Sequence, residues 1–372
     1  MSVKIMSIFG TRPEAIKMLP LVKQIHATQG LECQVCVTAQ HREMLDQVMA
    51  VFGVTADFDL NLMRPKQTLT SITADVLTGL AGVFEESLPD LVLVHGDTTT
   101  SFAAALAAFY RQIPVGHVEA GLRTHNIYSP FPEEANRSLT GRLANLHFAP
   151  TALNVNNLAK ENITKNVYQT GNTVIDAFAT TVRDDYSFKN ERLRQLDFAK
   201  ERAILMTAHR RENFGEPMRQ IFTAVLAIVN NFPDTQIIYP VHKNPAVMNP
   251  ASEILGGHPR IHLIDPVDVE DMHNLIGRSY LVLTDSGGLQ EEAPALGKPV
   301  LVLRSETERP EAVEVGVVRV AGVKTAGITQ AAELLLTDKK EYLRMSQAVS
   351  PYGDGHASER ICKAILEYFK HM

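Results

Sequence analysis

Short apolar runs alternate with helical patterns along almost the whole chain, and no other feature constrains the fold as tightly. In the first half the runs are Val3–Phe9, Glu32–Thr38, Leu91–His95, Val115–Val118 and Leu146–Ala149. Helical stretches near Glu14–Thr28, Glu43–Phe52, Leu69–Ser87, Thr99–Tyr110 and Glu134–Leu143 separate them. The second half restarts the pattern with Ala203–Thr207, Thr235–Tyr239, Ile261–Leu263, Tyr280–Thr284 and Val300–Leu303. Strands that read as continuous apolar runs are buried on both faces. Such strands, alternating with helices, predict an α/β protein built on parallel sheets. The halves also resemble each other: Leu91-Val-Leu-Val94, a Gly-containing turn, a helix and Ile113-Pro-Val115 recur as Leu281-Val-Leu-Thr284, a turn, a helix and Lys298-Pro-Val300. Two Rossmann-like, doubly wound domains with a cleft between them are expected. Their ligands would bind beyond the carboxyl ends of the strands. The boundary is expected near Asn166–Asn172, and a turn-rich break, Pro351–His356, precedes a last amphipathic helix over Ala357–Lys370.

With 372 residues the chain is long enough for two ordinary domains. Its 36 Lys and Arg against 42 Asp and Glu give a formal charge of −6, with no basic run, which argues against nucleic acid as a partner. No apolar run approaches the ~20 residues of a membrane span. The start, from Met1 to Gly10, reads as a strand and turn rather than a signal peptide. Together with only three cysteines, this leads us to expect a cytoplasmic protein that does not engage membranes. Cys33 and Cys36 match C-x-x-C, but they fall in a strand, where positions three apart face opposite sides. No second cysteine pair completes a zinc set.

Polar residues gather where strands end. Asp285-Ser286-Gly287-Gly288 follows an apolar run and opens a helix, so its glycines admit a ligand close to the backbone and the helix N-terminus favours a phosphate. Glu292, just over a turn inside, is placed to accept from sugar hydroxyls; the alternative is a solvated carboxylate pair. His209 and Arg210 follow the strand Ala203–Thr207 and are expected opposite this turn, holding a diphosphate. His242-Lys243 and Arg309 add charge near the same edge. In the first half Arg12 follows the first strand, where it either serves a phosphate or pairs with Glu14. Asp97 follows Leu91–His95 and either caps the next helix or serves chemistry. Glu119 lies just past a buried run, where carboxylates are rare unless used or paired. Glu133, after Pro130 and Pro132, opens a helix, where acids are also favoured by the dipole alone. Three carboxylates from adjoining βα loops would raise one another's pKa, so that one donates a proton while another accepts: the equipment of general acid–base chemistry at carbon. His95-x-Asp97 and His117-x-Glu119 resemble metal-ligand pairs, but the diphosphate's charge can be met by Arg12, His209 and Arg210, so no metal is expected. Gly10-x-x-x-Glu14 is not G-x-G-x-x-G, so no nicotinamide cofactor is expected either.

The motifs together resemble the non-hydrolysing UDP-N-acetylglucosamine 2-epimerases of bacteria. The matching stretches are FGTRPEAIKM from Phe9, TAQHREMLDQ from Thr38, VHGDTTT from Val94, GHVEAGLRT from Gly116, PFPEEANR from Pro130, GNTVIDA from Gly171, TAHRRENFG from Thr207 and TDSGGLQEEAPALGKPVLVLR from Thr284. The resemblance implies a GT-B fold whose final helix returns to the first domain. The expected domains are thus 1–168 plus 355–372, carrying the catalytic acids, and 169–354, binding UDP. It implies interconversion of UDP-N-acetylglucosamine and UDP-N-acetylmannosamine through loss of UDP, a bound 2-acetamidoglucal and re-addition, with no cofactor. Asp97, Glu119 and Glu133 fall on the family's catalytic acids. Arg12 and His209 fall on diphosphate-side residues, with His209 also placed among the catalytic groups, and Ser286, Gly287 and Gly288 on the phosphate turn. Glu292 falls on the ribose carboxylate, and Met272 where an aromatic often faces the uracil. Some relatives bind a second UDP-N-acetylglucosamine as activator. The matching positions are Gln40, His41, Glu43, Lys66 and His242, with Glu43 and Lys66 departing from the family pattern. The helix Leu69–Ser87 offers a face for a homodimer, and the product would feed a cell-surface polysaccharide. Competing readings are a GT-B glycosyltransferase, a hydrolysing 2-epimerase and a non-catalytic UDP-sugar sensor.

Overall fold

The computed structural model describes residues 2–38, 42–62, 64 and 67–371, without the side chains of Arg42 and Glu43. Two compact units emerge, one of residues 1–180 with 352–372 and one of residues 181–351. The first contains the strands β1 Val3–Phe9, β2 Leu31–Val37, β3 Phe58–Asp59, β4 Leu91–His95, β5 Val115–Val118, β6 Leu146–Ala149 and β7 Val167–Gln169, in the order β3-β2-β1-β4-β5-β6-β7. The second contains β8 Arg202–Thr207, β9 Thr235–Pro240, β10 Ile261–Ile264, β11 Leu281–Thr284, β12 Val300–Val302 and β13 Val318–Val320, in the order β10-β9-β8-β11-β12-β13. Every strand pair in both sheets is parallel. Each sheet winds outward from one strand and then reverses, so each has a switch point: β1/β4 in the first and β8/β11 in the second. At such a point the loops beyond the carboxyl ends diverge and leave a crevice.

The apolar runs are buried on both faces, as continuous runs require. In the first unit Met6, Ile8, Val92 and Val94 pack against Val76, Leu80 and Phe84 of the helix Leu69–Ser87 and Ala103, Ala104, Ala107 and Ala108 of the helix Thr99–Tyr110. In the second, Ile204, Met206, Leu281 and Leu283 pack against Ile221, Phe222, Val225 and Ile228 of the helix Glu216–Asn231. Each fully buried aliphatic side chain contributes roughly 1.5–3 kcal/mol over leaving it exposed.

The chain stays with the first unit past residue 168, beyond the expected boundary, and rejoins it at 352 rather than 355. The reason is local. The short helix Thr173–Asp176 carries Asp176, whose carboxylate accepts from Ala357 N (3.2 Å) and Ser358 N (2.7 Å) at the start of the last helix, Ala357–Lys370. That helix has no side-chain cap of its own, so Asp176 satisfies its orphan donors. Asn172 N also donates to Tyr352 O at 2.7 Å. Cys33 and Cys36 lie on β2 opposite Ile5 and Ile8, and burial pushes each thiol up to about 12. Neither is a ready thiolate. Gln40, His41 and Lys66, and the side chain of Glu43, lie outside the described residues. No helix among those described is long and apolar enough to cross a membrane.

Candidate active site

In the first unit the β1/β4 switch point is built around Glu14. The turn after β1 is capped by Thr11, which pairs with Glu14 in a capping box. The Glu14 carboxylate is buried and accepts from Gly10 N (3.1 Å), Thr11 N (2.8 Å), Thr98 Oγ1 (2.7 Å) and Ser101 Oγ (3.0 Å). It thus ties the turn after β1, where Arg12 begins the helix Arg12–Ala27, to the turn after β4. Gly10 has no room for a side chain, since a Cβ would fall 2.0 Å from Thr38 Oγ1.

Asp97 sits in the turn after β4. It does not cap the following helix, because Thr98 does so by accepting from Ser101 N at 3.1 Å. Its carboxylate instead meets Arg137 Nη2 in a tight ion pair, while Asn136 Nδ2 donates to its carbonyl at 2.9 Å. Burial raises the Asp97 pKa against the opposing pull of Arg137, and neighbouring Glu119 raises it further.

Glu119 follows β5 with φ +62°, a left-handed conformation unusual outside glycine. The carboxylate is held by a tight ion pair to Lys17 and by Asn172 Nδ2 at 2.8 Å, with His95 Nε2 3.6 Å away. Burial opposes its charge, yet Lys17 and then His95 prevail and hold it well below the usual carboxylate range. The two acids are therefore driven apart rather than both raised, which corrects the expectation of mutual elevation. Lys17 and His95 outweigh burial at Glu119, whereas Arg137 does not outweigh it at Asp97. Of the paired acids Glu133-Glu134, only one is structural. Glu134 turns inward and accepts from Thr124 N and His125 N (3.0 Å each), and Arg137 Nη1 donates to it at 3.3 Å. Glu133, half-exposed at the start of the helix Glu133–Leu143, has no hydrogen bond or ion pair among the described residues. His117 Nε2 lies 2.7 Å from Gly96 O, so the ring is engaged by backbone. No group of three His, Cys, Asp or Glu among the described residues has metal-ligand geometry.

In the second unit the β8/β11 switch point is organised by Asp285. Fully buried, it accepts from His209 N (2.9 Å), Arg210 N (2.8 Å) and Asn213 Nδ2 (3.0 Å), so the strand-end loops are locked together. Thr207 and Thr284 bridge the two strands by their hydroxyls at 2.6 Å. The Arg210 and Arg309 guanidinium groups converge on Gly287, where a Cβ would lie 3.8 Å and 3.9 Å from their Nη2 atoms. Arg309 is braced by Glu291, and Glu292 lies beside Gly288 and 3.5 Å from His273 Nε2. Met272 precedes His273 on the helix Val269–Arg278 and is half-buried. Burial lowers the His209 pKa in spite of Asp285, leaving a neutral imidazole whose ring centre is 5.6 Å from that of His242. The helix Leu289–Ala295 is only seven residues long, so the cationic character of this turn rests on its two arginines more than on a helix dipole.

The model of the UDP-N-acetylglucosamine 2-epimerase family matches residues 23–366. This chain belongs to that family. A UDP-N-acetylglucosamine 2-epimerase of Bacillus subtilis is 56% identical over 98% of this chain and 96% of its own length. A crystal structure from Listeria monocytogenes is 52% identical, covers 100% of this chain and 98% of its own, and superposes with a TM-score of 0.94. The UDP-GlcNAc 2-epimerase of Neisseria meningitidis, solved with UDP-GlcNAc bound, is 46% identical over 98% and 100% of the two chains, with a TM-score of 0.87. The fold is GT-B: the glycosyltransferase SnogD of Streptomyces nogalater shares it at 14% identity, with a TM-score of 0.65 over 99% of each chain.

Within this 2-epimerase-family chain the expected site residues divide by unit. Arg12, Asp97, Glu119 and Glu133 stand at the carboxyl edge of the first sheet; His209, Arg210, Ser286, Gly287, Gly288, Glu292 and Arg309 stand at that of the second. Sequence reasoning passed over Lys17, Asn172, Arg137 and Asp285. Lys17 and Asn172 sit inside matched motifs, but nothing in their spacing announces that both reach Glu119, more than fifty residues from either along the chain.

Proposed function

We propose that the protein interconverts UDP-N-acetylglucosamine and UDP-N-acetylmannosamine without hydrolysis. The C2 proton passes to a carboxylate, the C2–H electron pair becomes the C1=C2 bond, and the C1–O pair leaves with UDP. The retained 2-acetamidoglucal takes a proton on the opposite face of C2, and the β-phosphate oxygen re-adds at C1. Oxidation state is unchanged overall, so the balance needs no co-reactant. Asp97, Glu119 and Glu133 serve the hexose. Arg12, His209, Arg210, Arg309 and the turn Ser286–Gly288 serve the diphosphate, Glu292 the ribose and Met272 the uracil face, where a polarisable thioether packs.

The observation that carries this reading is a pair of neighbouring carboxylates at one sheet edge with different partners, Asp97 paired with Arg137 and Glu119 gripped by Lys17 and Asn172. Carboxylates held in different charge environments can divide proton transfer and charge stabilisation between them, as chemistry at a carbon centre requires. A glycosyltransferase has no use for three acids in that unit. The relative solved with UDP-GlcNAc supports the substrate class. Positional isotope exchange tests the route. With ¹⁸O placed in the sugar–phosphate bridge, elimination and re-addition scramble the label into the non-bridging oxygens of the β-phosphate. A label that stays in the bridge while epimers interconvert would contradict elimination, and free N-acetylmannosamine with UDP would point to hydrolysis.

A further inference from the structure

Glu119 differs from the other two acids in how many elements restrain it. Its backbone is left-handed. Its carboxylate is gripped by Lys17 from the helix Arg12–Ala27 and by Asn172 (2.8 Å) from the cap of the helix Thr173–Asp176. His95 at the end of β4 presents Nε2 to it at 3.6 Å; this nitrogen is buried and has no hydrogen-bond partner among the described residues. Lys17 itself is largely buried, its side chain 13% exposed, and its ammonium pairs with this carboxylate. Asp97, by contrast, forms its ion pair among the described residues with Arg137, and Arg137 divides itself between Asp97 and Glu134. Glu133 has no partner among the described residues.

A carboxylate that trades a proton with carbon must change charge without dismantling its surroundings. Protonating Glu119 would remove the negative charge from its buried ion pair with Lys17, and breaking one side of a buried ion pair is strongly unfavourable. We propose that Lys17 is a positioning residue that keeps Glu119 a fixed anion: Glu119 stabilises the positive charge that develops on the hexose as UDP departs, and the C2 proton traffic falls to Asp97 and Glu133. The assignment rests on the epimerase reading and deepens it. The groups facing Glu119 are Lys17, His95 and Asp97, with Arg137 acting through Asp97. Fixed charges aimed at developing charge act most strongly in such a dry site.

Two readouts on Lys17→Met and Lys17→Arg decide it. In the unliganded protein, carbon-13 NMR of labelled glutamate carboxyls, with Glu119 identified by its loss in Glu119→Gln, follows ionisation directly. Glu119 is expected to stay ionised below the ordinary glutamate midpoint in the wild type, to titrate at distinctly higher pH in Lys17→Met, and to recover in Lys17→Arg. In turnover, Lys17→Met is expected to lower kcat about 100-fold with UDP affinity within about threefold of wild type. The acidic limb of kcat/KM should move to higher pH, because a larger fraction of Glu119 is protonated at any given pH; Lys17→Arg should restore the profile. An unshifted Glu119 titration or an unshifted acidic limb in Lys17→Met overturns the proposal, even if activity falls. If the wild type does not epimerise UDP-N-acetylglucosamine, the functional reading fails on its own, and the titration still reports whether Lys17 fixes the charge.

Discussion

Glu133 and Glu134 are adjacent, chemically identical and both close to the expected site, yet the fold gives them different work. Glu134 accepts from the 124–125 backbone and Arg137, whereas Glu133 is half-exposed with no such bond among the described residues. Replacing Asp97, Glu119 or Glu133 by its amide is expected to lower kcat by about 10²–10⁴-fold with UDP binding kept; steady-state kinetics beside calorimetric UDP titration separates the two effects. Glu134→Gln is expected to act on folding instead. Gly287 gives a residue-scale test in the second unit. Its φ is not left-handed and a Cβ has room, but that Cβ would stand in front of the Arg210 and Arg309 guanidinium groups. Gly287→Ala should therefore fold normally and weaken UDP by about tenfold or more, roughly 1.4 kcal/mol; unchanged UDP affinity would remove this turn from the diphosphate site. Asp97 and Glu119 stood out in the sequence because they follow buried strands, and Glu133 because it opens a helix after two prolines. The partners of Asp97 and Glu119 did not stand out, because Lys17, Asn172 and Arg137 reach them from distant segments.

At the scale of elements, the long strands and the helices between them were readable because apolar runs and helical periods persist for four residues or more. The edge strands β3, β7 and β13 were not. They are two or three residues long and, unlike the equally short Val300–Val302, carry a polar or charged residue that breaks the apolar run. The domain boundary was displaced for a related reason: the helix Thr173–Asp176 is only one turn long, and its role in capping the last helix is a tertiary contact. Glu14 shows how one side chain can join two elements. Removing its carboxylate leaves two backbone N–H groups and two hydroxyls at the β1/β4 junction without their acceptor. Glu14→Ala is expected to lower the stability of the first unit by about 2–4 kcal/mol, measured as a fall in the urea midpoint at constant slope; an unchanged midpoint would contradict the junction described.

For the molecule as a whole, buried histidines set the response to acid. Burial lowers His117 to about 3, and burial with a nearby arginine lowers His147 (Arg123) and His262 (Arg192) each to about 4, against 6.5 for a free side chain. Below pH 6.5 the unfolded chain takes up protons that the folded chain refuses. Their contribution to stability is thus complete above that pH and declines as pH falls toward 4. Unfolding midpoints should accordingly be lower at pH 5 than at pH 7.5, in both units, since His117 and His147 lie in the first and His262 in the second; equal midpoints would contradict this burial. The central claim concerns a single hydrogen of the hexose, and one experiment reads it directly. The protein is incubated with UDP-N-acetylglucosamine alone in D₂O, and C2 is followed by proton NMR. The account predicts that the C2 proton signal disappears from both epimers, as each C2 acquires one solvent deuteron at the rate of epimerisation or faster. Epimerisation that retains the original C2 proton, or no exchange at all with an intact and UDP-binding protein, would contradict it.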